Sequence, residues 1–199
     1  MNTILVTGFE AFLTHQKNPT EALVQKLDGT EMDGTLMKGI VLPVSFARAA
    51  EMLIEQATAI RPNAIVMLGL GAGRKQVTPE RIAINVMDGP PDNEGAVMTD
   101  QPIKQDGPAA YFSTLPIRKM VNELNRHGCP ATISNTAGTY VCNDLMYRVL
   151  DHLQTAAVPA GFIHVPYTDD MVGEEEVSLP VDTVEKGIRQ ALRVVASTL

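Results

Sequence analysis

Ala64-Ile65-Val66-Met67-Leu68-Gly69-Leu70-Gly71-Ala72-Gly73 is the longest apolar run of the chain, and it falls short of the roughly 18 residues that a membrane-spanning helix requires. Its first half, Ala64 to Leu68, enters the glycines without a single polar residue. That pattern marks a strand buried on both faces, as in the middle of a parallel sheet. Parallel strands need crossover helices, and the flanking sequence has the period for them. Ser45 to about Ile60 places Ala49, Leu53 and Ala57 on one face and stops ahead of Pro62. Leu36 to Leu42 reads as a strand before it. Asn18-Pro19 with Glu21 has the cap, the fixed φ and the negative charge of a helix start, running to about Lys26 and ended by Gly29, while Thr3 to Val6 forms a first strand.

Downstream, Arg81 to Val86 alternates as a half-exposed strand, Ile117 to Arg126 is helical, and Ala131 to Ser134 is a strand. Tyr140 to about Leu153 is then a helix and Gly161 to Val165 another buried strand. The last helix, from about Val181 to Ala196, carries Val184, Ile188, Leu192 and Val195 on one stripe behind Pro180. The alternation predicts an α/β fold built from βα units, with residues 1–199 as a single domain. Asp88 to Ala110, rich in Gly, Pro and Asp, is predicted to be an irregular loop that serves function or oligomer contact.

A net charge of −7 disfavours nucleic-acid backbones and anionic membrane surfaces as partners. Two cysteines cannot form a disulfide framework, and a chain of this length needs none, so both thiols are expected free in a reducing compartment. Met1 to Phe12 runs into an apolar strand with no basic segment before it and no small-residue cleavage site after it, which predicts a cytoplasmic protein without a leader.

The glycines at 69, 71 and 73 invite a dinucleotide-binding reading. Arg74 stands where a third small residue belongs, and Val77-Thr78-Pro79 opposes the helix that would face a pyrophosphate, so the reading fails. Phosphate-loop lysines, paired C-x-x-C clusters and H-E-x-x-H are absent, so no metal or cofactor is expected. Glu174-Glu175-Glu176 reads as a solvated run ahead of a helix. Cys129, between Gly128 and Pro130, has the setting of a packing residue. Cys142 ends Ser134-Asn135-Thr136-Ala137-Gly138-Thr139-Tyr140-Val141-Cys142, where a strand turns through glycine into a helix. A sulfur in a first helical turn feels the dipole, which lowers a thiol pKa, and free N–H groups beside it can hold an oxyanion; a buried core cysteine is the plain alternative. Among the histidines, His15 sits in a loop, His127 at a helix end, and His152 too far along the Cys142 helix to share a site with the thiol. His164, at the C-terminal end of a buried strand, faces the crevice where open α/β sheets bind ligands, unless it is simply a bonded core histidine. The carboxylate that would orient it is not fixed by spacing, and Glu80 reads as half of a surface pair with Arg81.

Several separated motifs now carry a resemblance: Val6-Thr7-Gly8-Phe9-Glu10-Ala11-Phe12 with Asn18-Pro19, Glu80 to Asn85, Pro91-Asp92-Asn93-Glu94-Gly95, Asn135 to Asn143, and Gly161 to Tyr167. Together they resemble pyroglutamyl peptidase type I, the pyrrolidone-carboxylate peptidase family of cysteine peptidases. The resemblance implies a phosphorylase/hydrolase-like three-layer α/β/α sandwich with a mixed central sheet. It implies Cys142 as nucleophile, His164 as base and Glu80 as the orienting carboxylate, acting without metal or cofactor on peptides that begin with pyroglutamate, in a homotetramer. Phe9 and Phe12 would wall the substrate ring, Asn18 would meet its lactam, and Leu70 and Val141 would complete the pocket.

The chain also departs from the family pattern. Ala11 replaces a proline, glycines are missing near Leu13 and Thr14, and Leu70 replaces a glutamine, so only a backbone contact survives there. An arginine usually precedes the Pro-Asp-Asn-Glu-Gly segment, whereas here Asp88-Gly89-Pro90 is shorter and has none. Weaker oxyanion or substrate stabilisation follows, or replacement of the charge by Arg74. Two other functions compete: a nucleoside-phosphorylase-like enzyme on a related sandwich, and a non-catalytic binder of pyroglutamyl peptides.

Overall fold

The computed structural model describes residues 1–13, 15–173 and 175–199; Thr14, and Glu174 of the acidic run, lie outside the described residues. In chain order the elements are β1 (Asn2–Phe9), α1 (Pro19–Leu27), β2 (Glu31–Met32), β3 (Thr35–Leu42), α2 (Ala49–Ile60), β4 (Ala64–Leu70), β5 (Thr78–Pro79), β6 (Ile82–Ile84), β7 (Met87–Gly89), β8 (Met98–Gln101), β9 (Ala110–Phe112), α3 (Ile117–Arg126), α4 (Val141–His152), β10 (Ala160–Val165) and α5 (Val181–Ala196). The central sheet has the order β2-β3-β1-β4-β10-β5. Its interior strands run parallel, and β2 and β5 pair antiparallel at the edges, so the sheet is mixed.

Each buried strand sends alternate residues to opposite faces, and each face is covered. Ile4, Val6, Val66, Leu68, Ile163 and Val165 pack with apolar residues of α1, α3 and α5. Leu5, Ile65, Met67 and Phe162 pack with α2 and α4 on the other side. This is the three-layer α/β/α sandwich with a mixed sheet, held by two apolar layers rather than by one. Among the described residues no helix is long and apolar enough to cross a membrane.

Four of the sequence expectations are corrected. Ala131 to Ser134 is not a strand; it makes only isolated bridges, Ala131 to Val77 and Ser134 to Glu80. Val77 N–H donates to Pro130 O, Ser134 N–H to Pro79 O and Arg81 N–H to Ser134 O, but the rung that would need a Pro79 N–H cannot form. Asp88 to Ala110 is not irregular throughout, since β7 and β8 pair within the region. Its tip is organised by buried Asp92, whose Oδ1 accepts from Glu94 and Ala96 N–H and whose Oδ2 accepts from Phe46 N–H. Arg81 to Val86 keeps only β6, which pairs with β9 outside the main sheet, and it is Ala83 rather than the isoleucines that is fully buried. The helix read from Ser45 begins at Ala49, after a turn.

Candidate active site

The site forms where β4 and β10 end and α4 begins. In the parallel register His164 lies beside Gly69, so its side chain leaves the sheet on the same face as the α4 helix. Gly69 has no side chain, and that space is filled: a Cβ there would lie 2.6 Å from the Phe162 ring and 3.0 Å from Cys142 Sγ. A Cβ on Gly71 would lie 3.1 Å from His164 Cβ and 2.6 Å from Arg74 Cδ. The glycines that imitate a phosphate loop therefore admit a thiol, an imidazole and a guanidinium.

Cys142 is the second residue of α4. Asn143, fully buried, fixes that end of the helix: its Oδ1 accepts from Ile84 N–H, and its Nδ2 donates to the carbonyls of Ile84 and Val86, all at 2.9 Å. Tyr140 O receives Asn143 and Asp144 N–H, while Val141 and Cys142 N–H have no backbone partner among the described residues. Those two donors are the unspent dipole end of the helix.

His164 Nδ1 lies 2.7 Å from Glu80 Oε1, and both side chains are almost wholly buried. Because a carboxylate only accepts, the contact assigns the hydrogen to Nδ1 and leaves the Nε2 lone pair bare. Burial drives the imidazole pKa below its usual value against the pull of Glu80, so the ring is neutral at pH 7. Glu80 follows β5, whose antiparallel pairing sets Thr78 opposite His164, and its N–H donates to Phe162 O. Its carboxylate thus points diagonally at His164 on one sheet face. The surface pair with Arg81 does not exist: Arg81 Nε donates to Asn135 Oδ1 at 2.7 Å, and the partner of Glu80 is Arg74, Nη1 to Oε1 at 2.6 Å.

The thiol differs from expectation in its acidity. Burial first, and then the negative Glu80, push Cys142 up to about 12, although Arg74 and the Cys142 N–H both pull it down. The favourable helix end is present and is outweighed by desolvation. Cys142 rests as a thiol, and to act as a nucleophile it would have to pass its proton to a base.

Phe9, Phe12, Asn18, Val44, Leu70, Tyr140, Val141 and Cys142 line one narrow pocket. Every pocket residue expected from the sequence is there, and Val44 and Tyr140 join them. Tyr140 was readable as the neighbour of Cys142 but not as a wall; its ring meets Phe46 edge-on at 5.3 Å and Phe12 at 6.3 Å, and its hydroxyl donates to Pro91 O. Asn18 is largely committed elsewhere. Its Oδ1 accepts from Thr20 N–H and Thr20 Oγ1–H, capping α1, and its Nδ2 donates to Glu10 O. One Nδ2 hydrogen remains for the pocket. Gly89 abuts Tyr140, since a Cβ there would fall 2.7 Å from its ring, and Arg74 is engaged by Glu80, so neither places a free positive charge over the pocket. Among the described residues no group of three His, Cys, Asp or Glu is placed to hold a metal ion.

The family model described as pyroglutamyl peptidase matches residues 2–198. A pyrrolidone-carboxylate peptidase of Halalkalibacterium halodurans is 48% identical over 182 residues, covering 90% of each chain. That of Pyrococcus furiosus is 43% identical over 187 residues, 92% of this chain and 86% of its own. In three dimensions the pyrrolidone carboxyl peptidase of Thermococcus litoralis superposes with a TM-score of 0.96 at 38% identity, covering 99% of this chain and 94% of that one.

Proposed function

The chain belongs to the pyroglutamyl peptidase family, and from that premise we propose that Cys142, His164 and Glu80 remove N-terminal pyroglutamate from peptides through a thioester. The activity is that of a pyroglutamyl peptidase. The observation that carries the residue assignment is the buried 2.7 Å contact of His164 Nδ1 with Glu80, which leaves the other ring nitrogen free to act as a base on a residue that pairs with Gly69, where a Cβ would lie 3.0 Å from Cys142 Sγ.

In the proposed reaction the pyroglutamyl ring enters the pocket and its apolar faces meet Phe9 and Phe12. His164 Nε2 takes the Cys142 proton as Sγ bonds to the carbonyl carbon, and the carbonyl oxygen, now negative, is held by the Val141 and Cys142 N–H groups. Glu80 balances the imidazolium. The C–N bond then breaks, the imidazolium gives its proton to the departing amine, and a thioester remains. Water, deprotonated by the same Nε2, attacks that thioester; pyroglutamate leaves and the thiol regains its proton.

The pocket explains the demand for a closed ring. Proline or an open glutamate at the N-terminus would carry an ammonium into walls of Phe9, Phe12, Val44 and Leu70, where burying an unpaired charge costs several kcal/mol or more. A phosphorylase is not favoured, because the space that would receive a phosphate at Gly69 and Gly71 is taken by side chains. Both cysteines are free, which suits a reducing cytoplasm, and we place the protein there as a single catalytic domain in a homo-oligomer, tetrameric by family resemblance. Incubation with a chromogenic pyroglutamyl amide in the presence of reductant should release the chromophore, and the matching prolyl amide should not be cleaved. Binding of pyroglutamyl peptides without release would instead identify a binder that has lost turnover.

A further inference from the structure

We propose that Arg74 is a positioning residue of this site: its guanidinium keeps Glu80 an anionic acceptor for the His164 Nδ1 hydrogen and so decides which imidazole nitrogen is left bare to take the Cys142 proton. The inference rests on the reading of Cys142 and His164 as nucleophile and base.

The geometry is specific. Arg74 Nη1 reaches Glu80 Oε1 at 2.6 Å, and His164 Nδ1 reaches the same oxygen at 2.7 Å. Glu80 Oε2 is buried with no hydrogen-bond partner, so the whole compensation of a carboxylate with no exposed side-chain surface converges on one atom. Arg74 is itself three-quarters covered, and its Nη2 donates to Thr136 O at 3.1 Å in the turn that leads into α4. Nη1 also contacts Thr78 Oγ1. The stem of Arg74 lies over Gly71, where any side chain would displace it.

Without the guanidinium, Glu80 would be a buried carboxylate facing only a neutral ring, and such a group neutralises by binding a proton. Glu80 would take that proton from solvent and donate it to Nδ1. The ring hydrogen would then sit on Nε2, and that nitrogen could not accept the Cys142 proton. Arg74 also acts on the thiol directly, since its field opposes that of Glu80 at Cys142. The titratable and charged groups around this cluster are Glu80, Arg74, His164, Cys142 and Tyr140. Among the described residues, Arg74 is the one cation whose charge is felt at both Cys142 and His164.

The test compares wild type with Arg74→Gln and Arg74→Lys, in kcat and KM for a chromogenic pyroglutamyl amide and in the pH dependence of Cys142 alkylation by iodoacetamide. A wrong imidazole tautomer costs about 10⁴-fold in kcat in related triads, so Arg74→Gln should lose at least about 100-fold in kcat at pH 7 with KM little changed. Its activity should recover in part as pH rises and Glu80 ionises again, its alkylation curve should move to higher pH, and Arg74→Lys should regain at least about tenfold by restoring the charge. Thermal melts identify a variant that merely unfolds. Arg74→Gln with kcat within about twofold of wild type overturns the proposal, as does an equal loss at every pH that lysine does not relieve. Failure of the underlying site reading looks different: Cys142→Ala would then keep its activity whatever Arg74 does.

Discussion

The two cysteines occupy neighbourhoods that are alike in acidity and unlike in everything else. Cys129, 1% exposed, follows α3 and packs its sulfur against Gly187 of α5; burial alone pushes its thiol up to about 11. Cys142 is pushed higher, to about 12. A ranking by thiol pKa would therefore choose Cys129, not the sulfur proposed as nucleophile. Cys142 is distinguished by its setting: two unspent helix N–H groups, an aromatic pocket, and Gly69, the strand partner of His164, whose Cβ would lie 3.0 Å from its sulfur. Cys129 has apolar Leu124 and the α5 backbone. The comparison teaches that a nucleophile need not be ionised at rest if its proton has somewhere to go at the moment of attack.

The largest break between the two comes from deleting each sulfur. Cys142→Ala should lower kcat for a pyroglutamyl amide by about 10⁴-fold or more, as loss of a triad nucleophile does, while Cys129→Ala should leave kcat unchanged and cost about 1–2 kcal/mol in denaturant unfolding. The reverse pattern would exchange their roles. Next comes Glu80→Gln, which keeps the shape but can turn an N–H towards Nδ1; a loss of about 10³–10⁴-fold in kcat is expected, against no change if the carboxylate only stabilises the fold. The acid limb of kcat/KM in the wild type should lie below the ordinary imidazole value of 6.5, because burial holds His164 neutral until lower pH. A limb at or above that value would mean that a protonated ring is the resting form.

Smaller effects sharpen the contrast. Gly69→Ala puts a methyl 2.6 Å from the Phe162 ring and 3.0 Å from Cys142 Sγ, and it should lower kcat about tenfold while costing about 1–3 kcal/mol by overpacking. Unchanged kcat would show that the sulfur has room to spare. Asp144, two residues beyond Cys142, is a control on the same helix: a buried carboxyl paired with Arg148 Nε at 2.7 Å and outside the proposed chemistry. Burial raises it to about 6 from 3.8. The folded state thus holds its proton where the unfolded chain has released it, and the stability this gives is complete below 3.8 and lost as pH rises through about 6. Asp144→Asn should gain about 1–3 kcal/mol relative to wild type between pH 4 and pH 8, with kcat unaltered. An equal difference at both pH values would remove the titration from the account.

What the residues disclosed follows from where the relevant signal lies along the chain. The β4 run, the Asn18-Pro19 cap and the α5 stripe are local patterns, and all appear as read. The places of Cys142 at a helix start and of His164 near a strand end were legible for the same reason. The contact of Glu80 with His164 was not, because it depends on β5 lying antiparallel beside β10, a pairing of two residues that no periodicity announces. The same short, proline-interrupted edge undid the strand expected at Ala131 to Ser134. Arg74 was read as an objection to a nucleotide loop; only the fold shows that the glycines before it clear space for its stem and for the site.

The most direct test of the central claim uses a pyroglutamyl chloromethyl ketone, from which an attacking thiolate displaces chloride to leave a stable thioether. Inactivation at one equivalent, with the label on the peptide that contains Cys142 and protection by free pyroglutamate, is the predicted result. A label on Cys129, or full inactivation with Cys142 unmodified, would contradict the account.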